Sequence, residues 1–446
     1  MALLGDHAVV IGGSLAGLLT ARVLSEFFAR VTVLERDEIA DSPAIHRSIP
    51  QGNHFHGLLQ GGQQVLAALY PGFTEELGAL GGVRLRMGRD AVWYLPDGKA
   101  YNFTGSVREP RDLGFEGYSA SRGLFEYLIR HRTQALPNVE LKTGIVVHAL
   151  AHRDGRVWGV HCRDARSVAA ELVVDAGGRG SQAPSWLEAM GFVRPAETTI
   201  GVDTAYSSAY FRRPASYAGE AAIFIVGPPP HFLKRGYVAT VENERLLVSL
   251  IGRFVHPPTD EPGFLAFAHS LHSPFLYELI QQTERLTAIA HHRFPSSVQR
   301  HYERMPAFPE GFLVLGDALC CFNPVYGQGM SAAALQAKVL HEVLAERSAR
   351  SRELAGIAAE FFPRAADINR APWVLAANLD FAYPQTRGER PGGMEQQGRY
   401  LAALDQLQVE DVEVQRLVME VFQLTRPLAA LQEEPLRSRV LARLEG

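Results

Sequence analysis

The sequence has little cysteine, no long apolar run and no large excess of charge of one sign. Only three cysteines occur among 446 residues, too few for a disulfide framework, so a reducing, cytoplasmic location is expected. No stretch approaches the roughly 18 apolar residues of a transmembrane helix, and the N-terminus lacks the basic and cleavage regions of a signal peptide. The 44 basic and 48 acidic residues give a net charge of −4, which offers no basic surface to nucleic acid or anionic lipid.

A glycine-rich strand-turn-helix-strand unit opens the chain at residues 7–36. An apolar strand runs into Gly12, which permits a tight turn, and Gly17 would let the following helix approach the strand closely. Backbone N–H groups at the start of that helix would receive a pyrophosphate. Glu35 ends the second strand, where it would accept hydrogen bonds from an adenosine ribose and disfavour the 2′-phosphate of NADP. Ser14 replaces the middle glycine of G-x-G-x-x-G, and the unit alone leaves NAD and FAD open.

Two later segments repeat the pattern of a strand followed by an acid and a glycine-rich turn. The segment "LVVDAGGRGS" places Asp175 at the end of a short strand, with Gly177 and Ser181 in the turn after it. The segment "FLVLGDALCCFNPVYGQGMS" places Asp317 after the strand 312–315, at the strand end where doubly wound sheets bind ligands. The helix that follows would direct free N–H groups and a positive dipole end toward negative charge on a ligand.

In this order the three segments resemble FAD-dependent monooxygenases of the aromatic-hydroxylase type, over roughly residues 7–345. The resemblance implies an α/β fold with a Rossmann-like FAD-binding domain of the glutathione-reductase type, an inserted mixed β-sheet substrate domain and a helical C-terminal region. The implied boundaries are an FAD-binding domain of residues 1–82, 106–199 and 290–345, a substrate-binding sheet domain of residues 83–105 and 200–289, and a helical region of residues 346–446.

A fourth segment resembles a narrower group. "HRSIPQGNHFHGLL", from residue 46, is similar to a pattern of bacterial flavin-dependent epoxidases of polyether and polyketide biosynthesis, which are relatives of squalene monooxygenase. The resemblance implies that Arg47 acts at the flavin ring as the catalytic, electrostatic and positioning residue. It further implies that Arg122 reaches the FAD phosphates or ribose and that Asp317 holds the ribityl chain. The full set of predicted cofactor-binding residues is Gly12, Ser14, Gly17, Glu35, Arg36, Arg47, Gln51, Arg122, Val146, Asp175, Gly177, Ser181, Asp317, Pro324, Gly327, Gly329 and Met330.

The implied chemistry belongs to the cofactor, which agrees with the absence of a Ser-His-Asp, paired-carboxylate or metal-ligand signature in the sequence. The resemblance implies FAD that is reduced by NAD(P)H or by a partner flavin reductase. One oxygen atom of O₂ would then pass, through a C4a-hydroperoxyflavin, to a hydrophobic natural product by alkene epoxidation or by hydroxylation. The residues of the inserted sheet predicted to face this substrate are Tyr206, Tyr210, Phe224 and Val226.

Other flavoproteins share the implied fold and stay as alternatives. A flavin-dependent halogenase is one, although its Trp-x-Trp-x-Ile-Pro segment is absent and no lysine lies in a suitable loop after the first helix. A flavin-dependent reductase or dehydrogenase is another, although the Tyr-x-Trp-x-Phe-Pro signature of prenyl reductases is absent. A flavin-binding protein without catalysis is the third.

The histidines and adjacent cysteines suggest other chemistry at first sight. His54 and His56 have no Asp, Glu or Cys at ligand spacing, so no metal is predicted, and hydrogen bonds to the loop, flavin or backbone are favoured. Cys320 and Cys321 do not form a Cys-x-x-Cys motif. Packing behind the flavin is favoured for them over a redox dithiol or a covalent thioether to the flavin.

Overall fold

The computed structural model describes residues 2–45, 49–217, 219–350 and 353–445. The strands in these ranges are β1 (Gly5–Ile11), β2 (Phe28–Leu34), β3 (Val83–Arg86), β4 (Ala91–Leu95), β5 (Gly98–Ala100), β6 (Glu116–Ser119), β7 (Val139–Lys142), β8 (Val147–Arg153), β9 (Arg156–Cys162), β10 (Ser167–Ala169), β11 (Leu172–Asp175), β12 (Glu197–Arg212), β13 (Ala222–Ile225), β14 (Lys234–Val241), β15 (Arg245–Arg253), β16 (Ala290–Arg300), β17 (Phe312–Val314) and β18 (Cys320–Cys321). The α-helices are α1 (Leu15–Leu24), α2 (Gln60–Leu69), α3 (Phe73–Ala79), α4 (Arg122–Gln134), α5 (Ala183–Ala189), α6 (Glu261–His269), α7 (Phe275–Gln281), α8 (Gly329–Arg350), α9 (Ile357–Asp380), α10 (Met394–Glu410), α11 (Val412–Phe422) and α12 (Leu436–Glu445).

A five-stranded parallel sheet, in the order β17-β11-β1-β2-β7, forms the centre of the fold. Val10 at the middle of β1 pairs with Val174 of β11 and Val33 of β2. The strands read as apolar runs because helices cover the sheet, and α1 packs against both α4 and α8. This arrangement confirms the predicted Rossmann-like α/β class.

Gly17 makes the predicted close approach between α1 and the turn after β1. A Cβ atom at this position would lie 1.8 Å from the carbonyl oxygen of Gly12 and 3.4 Å from Val10 Cγ1. Gly12 itself has a φ of +102°, a conformation that L side chains rarely adopt. The two glycines therefore allow the strand, the turn and the helix to pack without a gap.

The second layer is an eight-stranded sheet in the order β18-β16-β12-β15-β14-β13-β4-β5. Most of its neighbours are antiparallel, and β13 pairs in parallel with β4, so the predicted mixed sheet is confirmed. Strand β16 pairs along the length of β12 in this sheet, although the predicted boundaries place residues 290–300 with the FAD-binding domain. Strand β3 pairs instead with β6 in a small separate sheet.

The C-terminal region is helical, as predicted. Helices α10, α11 and α12 share an apolar cluster that includes Leu404 and Val440, and ion pairs join Arg443 to Glu410 and Arg439 to Asp411. Helix α9 meets the large sheet through a fully buried ion pair of Arg253 with Asp380, at 2.8 Å. No helix in the described ranges combines the length and apolar character that crossing a membrane requires.

Candidate cofactor site

A cavity of about 690 Å³ lies along the carboxyl ends of the five parallel strands. Its wall takes one residue from the end of each strand or from the loop after it: Asp317 after β17, Asp175 of β11, Gly12 after β1, Glu35 after β2 and Val146 after β7. Since neighbouring strands lie about 4.8 Å apart, the cavity spans roughly 19 Å across the sheet. A cavity of this length at this edge suits an extended dinucleotide.

Most of the predicted cofactor residues lie in the wall of this cavity. Gly17 lies outside the wall, in contact with the turn that contributes to it. Arg47 lies outside the described residues, so its predicted catalytic role stays a prediction. The predicted residues in the wall are Gly12, Ser14, Glu35, Arg36, Gln51, Arg122, Val146, Asp175, Gly177, Ser181, Asp317, Pro324, Gly327, Gly329 and Met330.

The start of α1 is partly occupied by a carboxylate of the chain itself. Glu126 Oε1 accepts the Leu15 N–H at 3.1 Å and the hydroxyl of Ser14, and it pairs with Arg122 one helical turn away on α4. The Leu15 N–H is therefore already bonded, although the sequence predicts that helix-start N–H groups receive a pyrophosphate. Arg122 keeps a buried Nε with no partner among the described residues. It supplies a cation at this part of the cavity wall.

Glu35 shapes the turn as well as the cavity wall. Its Oε2 accepts the N–H of Gly13 at 2.7 Å and its Oε1 accepts the N–H of Asp37 at 2.9 Å. Its buried position at the end of β2 agrees with the predicted ribose contact, which stays a prediction.

Asp175 holds the second glycine-rich turn in place. Its Oδ1 accepts the N–H of Gly177 at 2.8 Å and its Oδ2 accepts the hydroxyl of Ser181. Burial raises the pKa of the Asp175 carboxyl above its ordinary value, and these two hydrogen bonds act in the opposite direction. Helix α5 begins after this turn, at Ala183.

The third turn joins Asp317 to the start of α8. A short 3₁₀ turn, Pro324–Tyr326, is capped by the Asn323 side chain and ends at Gly327, whose φ is +69°. Burial raises the pKa of Asp317, while the guanidinium groups of Arg122 and Arg179 act in the opposite direction. A carboxylate and a helix N-terminus thus lie at the same end of the cavity.

These features fit FAD. The cavity offers a glycine turn against a helix start, an arginine with an unpartnered Nε, and a buried acid beside a second helix start. Four arginines line it (Arg36, Arg122, Arg163 and Arg179), against three carboxylates (Glu35, Asp175 and Asp317). This balance suits an anionic cofactor.

The cysteines are free and buried. Cys321 lies in the cavity wall, where Arg179 Nη1 approaches its Sγ at 3.7 Å. Burial nevertheless raises the pKa of the Cys321 thiol strongly, so the thiolate needed for a thioether or a dithiol reaction is disfavoured. Cys320 and Cys321 pack with Phe322 and Trp373, in agreement with the packing role favoured from the sequence. In the described part of the chain, no group of three His, Cys, Asp or Glu residues is placed to hold a metal ion.

The loop 54–57 lies between the cavity and the large sheet. Phe55, His56 and Gly57 line the cavity, and the ring of Phe55 packs edge-on against Phe224 and Tyr237, at centroid distances of 5.3 and 5.5 Å. Three of the predicted substrate residues, Tyr206, Phe224 and Val226, pack in one apolar cluster with Phe55, and Tyr210 packs with Phe55 in a neighbouring cluster. None of these four lines the cavity itself.

The sequence analysis did not identify Arg179 and Phe294, which line the cavity, or Glu126, which contacts the wall residues Ser14 and Leu15. Arg179 stacks over Phe294 of β16 at 4.7 Å and so connects the second glycine turn to the large sheet. Glu126 reaches Ser14 across 112 positions. The arginine inside "DAGGRGS" was a visible signal for Arg179, whereas Phe294 and Glu126 stand in ordinary strand and helix patterns.

Comparison with known proteins places this geometry in a family. No family model matches the chain. Protein Rv3254 of Mycobacterium tuberculosis is 32% identical over 404 residues, which cover 87% of this chain and 84% of that protein. The chain belongs to the Rv3254 family.

Two solved structures share the fold of this chain. The flavin-dependent brominase Bmp2 superposes with a TM-score of 0.70 and 15% identity, over 99% of this chain and 98% of the other. A mutant of 2-methyl-3-hydroxypyridine-5-carboxylic acid oxygenase superposes with a TM-score of 0.62 and 17% identity, over 84% of this chain and 90% of the other. The chain therefore has the fold of flavin-dependent oxygenases and halogenases, including, for the brominase, the C-terminal helices.

Proposed function

We propose that the chain is an FAD-dependent monooxygenase that inserts one oxygen atom of O₂ into a hydrophobic natural product, by alkene epoxidation or hydroxylation. The observation that carries the proposal is that one cavity meets the ends of all five parallel strands. The glycine turn after β1 lines the middle of this cavity, and Asp317 and the start of α8 line it beside β17. The likeness of the fold to flavin-dependent enzymes supports it. Closeness to the polyketide epoxidases in particular rests on the sequence resemblance alone.

Each part of the cavity has a proposed role. Glu35 and Val146 lie where β2 and β7 end and would contact the adenosine half. Arg122 would use its unpartnered Nε toward the pyrophosphate. Asp317 would accept hydrogen bonds from ribityl hydroxyls, and the loop that ends at Gly329 would contact the pyrimidine edge of the ring.

The large sheet would cover the substrate. In the proposed division the parallel sheet binds the cofactor, and the eight-stranded sheet supplies an apolar wall that excludes water from the reacting atoms. Bound FAD would supply the oxygen-transfer chemistry, with electrons from NAD(P)H or a partner flavin reductase. The protein then has to hold the substrate against the ring, a task for Phe55 and the aromatic residues behind it.

A halogenase is the second candidate, because the brominase matches nearly the whole chain in fold. Against it, no lysine occurs among the described residues that line the cavity, and the tryptophan segment of halogenases is absent. A reductase or dehydrogenase is the third candidate and would consume no O₂ for oxygen transfer; the reductase would add two hydrogen atoms to a double bond.

One experiment separates these candidates. The FAD in the purified protein is reduced, and the protein is mixed with O₂ and a lipophilic alkene, with and without bromide. The masses of the products are then measured by mass spectrometry. A product heavier by one oxygen atom supports the proposal. A brominated product supports the halogenase, and a product that gains two hydrogen atoms without O₂ uptake supports the reductase.

A further inference from the structure

Helix α9 is connected by buried hydrogen bonds to the segment that leads from β17 to the start of α8. This segment, residues 316–329, contributes several residues to the cavity wall, from Asp317 to Gly329. None of the residues of α9, all of which the structure describes, lines the cavity itself. Two buried side chains of α9, Asn369 and Asp380, are nevertheless connected to the segment.

Asp380, the last residue of α9, contacts the segment directly. Its Oδ1 accepts hydrogen bonds from Asn323 Nδ2 at 2.9 Å and from the Tyr326 hydroxyl at 2.7 Å. The same oxygen accepts Arg253 Nη2 at 2.8 Å, and Arg253 Nη1 donates to the Tyr326 hydroxyl oxygen at 3.2 Å. Burial and the neighbouring carboxylate raise the pKa of Tyr326, so its hydroxyl keeps the proton that it donates. Asp380 thereby joins the segment to β15 of the large sheet.

The bonds to Asp380 flank a residue that lines the cavity. Pro324 is in the cavity wall and lies in the chain between Asn323 and Tyr326, neither of which lines the cavity. The Asn323 side-chain oxygen accepts the N–H of Val325 and caps the 3₁₀ turn, while its amide nitrogen donates to Asp380. Hydrogen bonds to a charged acceptor are stronger than those between neutral groups. Since residues on both sides of Pro324 are bonded to one buried carboxylate, the position of Pro324 depends on Asp380.

A second connection holds the start of the segment. Asn369 Oδ1 accepts Gln336 Nε2 at 2.8 Å, and Gln336 Oε1 accepts the N–H of Gly316 at 2.7 Å. Gln336 lies on α8, and the side chains of Asn369 and Gln336 are buried, so these bonds do not compete with bulk water. Gly316 immediately precedes Asp317. Helix α9 therefore also fixes the turn that carries the predicted ribityl-binding acid.

The carboxylate of Asp380 also balances buried positive charge. Arg253 and Asp380 are both 0% exposed, and Arg235 on the adjacent strand β14 acts electrostatically on Arg253. Removal of the carboxylate would leave the Arg253 cation uncompensated, and an unpaired buried charge destabilises a fold strongly. A substitution of Asp380 therefore tests folding as well as positioning. Tyr326 offers the cleaner test, because the loss of its hydroxyl leaves the ion pair in place.

We propose that Asp380 is a positioning residue of the cofactor site. From α9 it holds the turn Pro324–Tyr326 in the form that contacts the flavin ring, and Asn369 holds the turn of Asp317 through Gln336. This inference rests on the proposed function, which assigns the two turns to the ring edge and the ribityl chain. The helical C-terminal region then takes part in cofactor binding through α9, although none of its described residues lines the cavity.

The test compares Tyr326→Phe with Tyr400→Phe as full-length, FAD-loaded proteins. Tyr326→Phe removes the hydroxyl bond to Asp380. Tyr400→Phe is the matched control, because it removes one hydroxyl bond, of 2.6 Å to the Leu431 carbonyl oxygen, elsewhere in the C-terminal region. The dissociation constant of FAD is measured by flavin fluorescence on dilution, at a temperature well below the Tm of each protein. The visible absorption spectrum of the bound FAD is recorded as well.

Tyr326→Phe is expected to raise the dissociation constant of FAD about three- to tenfold, because FAD must then order a turn that the wild type holds in place. The absorption bands of its bound FAD should also shift, which a general loss of stability would not produce. Tyr400→Phe should match the wild type in both measurements. Asp380→Ala, where it folds, should raise the dissociation constant more than Tyr326→Phe does, since it removes both bonds to the turn.

Two results would overturn the inference whether or not Asp380→Ala folds. One is a Tyr326→Phe protein with the FAD affinity and spectrum of the wild type, and the other is an equal loss of affinity in Tyr400→Phe. A folded Asp380→Ala protein that binds FAD as the wild type does would overturn it too. A wild-type protein that binds no FAD would instead count against the proposed function.

Discussion

The close approach at Gly17 gives the sharpest prediction about the cofactor site. In Gly17→Ala the new Cβ would lie 1.8 Å from the Gly12 carbonyl oxygen, a backbone atom that cannot rotate away. Relief requires α1 to shift by on the order of 1 Å, and overpacking of this kind typically costs about 1–3 kcal/mol. For a chain of 446 residues the apparent Tm should fall by roughly 1–3 °C. The FAD content of the purified protein should fall with it, because the displaced turn is part of the cavity wall.

Gly398→Ala is the control for this substitution. Gly398 lies inside α10, and a Cβ there would meet nothing within 4 Å. Alanine should stabilise that helix by about 0.5–1 kcal/mol and leave FAD content unchanged. Both proteins are compared by differential scanning calorimetry and by flavin absorbance after purification. A Gly17→Ala protein with wild-type Tm and full FAD content would show that the packing argument is wrong.

Three further predictions concern Asp317, His54 and Cys321. Asp317→Ala should weaken FAD binding by about tenfold or more, because hydrogen bonds to a charged acceptor contribute about 1.5–3 kcal/mol each. A fluorescence titration measures this affinity, and a value equal to that of the wild type would show that Asp317 does not bind FAD. The pKa of His54 is about 3 when folded and 6.5 ordinarily, so its contribution to stability is present above pH 6.5 and is lost as pH falls. Between pH 7 and 5 this loss is about 2 kcal/mol, and denaturant unfolding of His54→Asn should depend on pH less than the wild type by that amount; parallel pH profiles would contradict it. Both the wild type and Cys321→Ala should release all their FAD when the protein is denatured in acid, since the raised pKa of the Cys321 thiol disfavours a thioether to the flavin. Flavin that stays with the denatured wild-type chain but not with the variant would show that Cys321 forms such a thioether.

The position of the three acids in one cavity follows from local signals in the sequence. A strand, an acid and a glycine turn within about ten residues place the acid at the carboxyl end of a parallel strand, and such ends meet at one edge of the sheet. Asp175 and Asp317 satisfy this rule on the neighbouring strands β11 and β17, and Glu35 satisfies it on β2. Their meeting in one cavity follows from strand direction, without knowledge of side-chain contacts.

The contacts that depend on distant parts of the chain could not be predicted in this way. Glu126 reaches the start of α1 from α4, and its position on a helix face marks it only as a charged residue. The mixed sheet pairs β4 with β13 across more than a hundred residues, so its neighbours do not follow chain order. The hydrogen bond of 2.7 Å between His54 Nδ1 and Ser208 Oγ joins residues 154 positions apart, and Ser208 in turn donates to Ser249 on β15.

The most direct test of the account is a titration of the flavin-free protein with FAD, FMN and NAD, monitored by calorimetry. The account predicts that FAD binds with a stoichiometry of one per chain. It also predicts that FMN binds at least about a hundredfold more weakly, because it leaves Glu35 and Val146 at the adenosine end without contacts. Binding of NAD with no binding of FAD, or equal affinity for FMN and FAD, would contradict the assignment of the cavity to FAD.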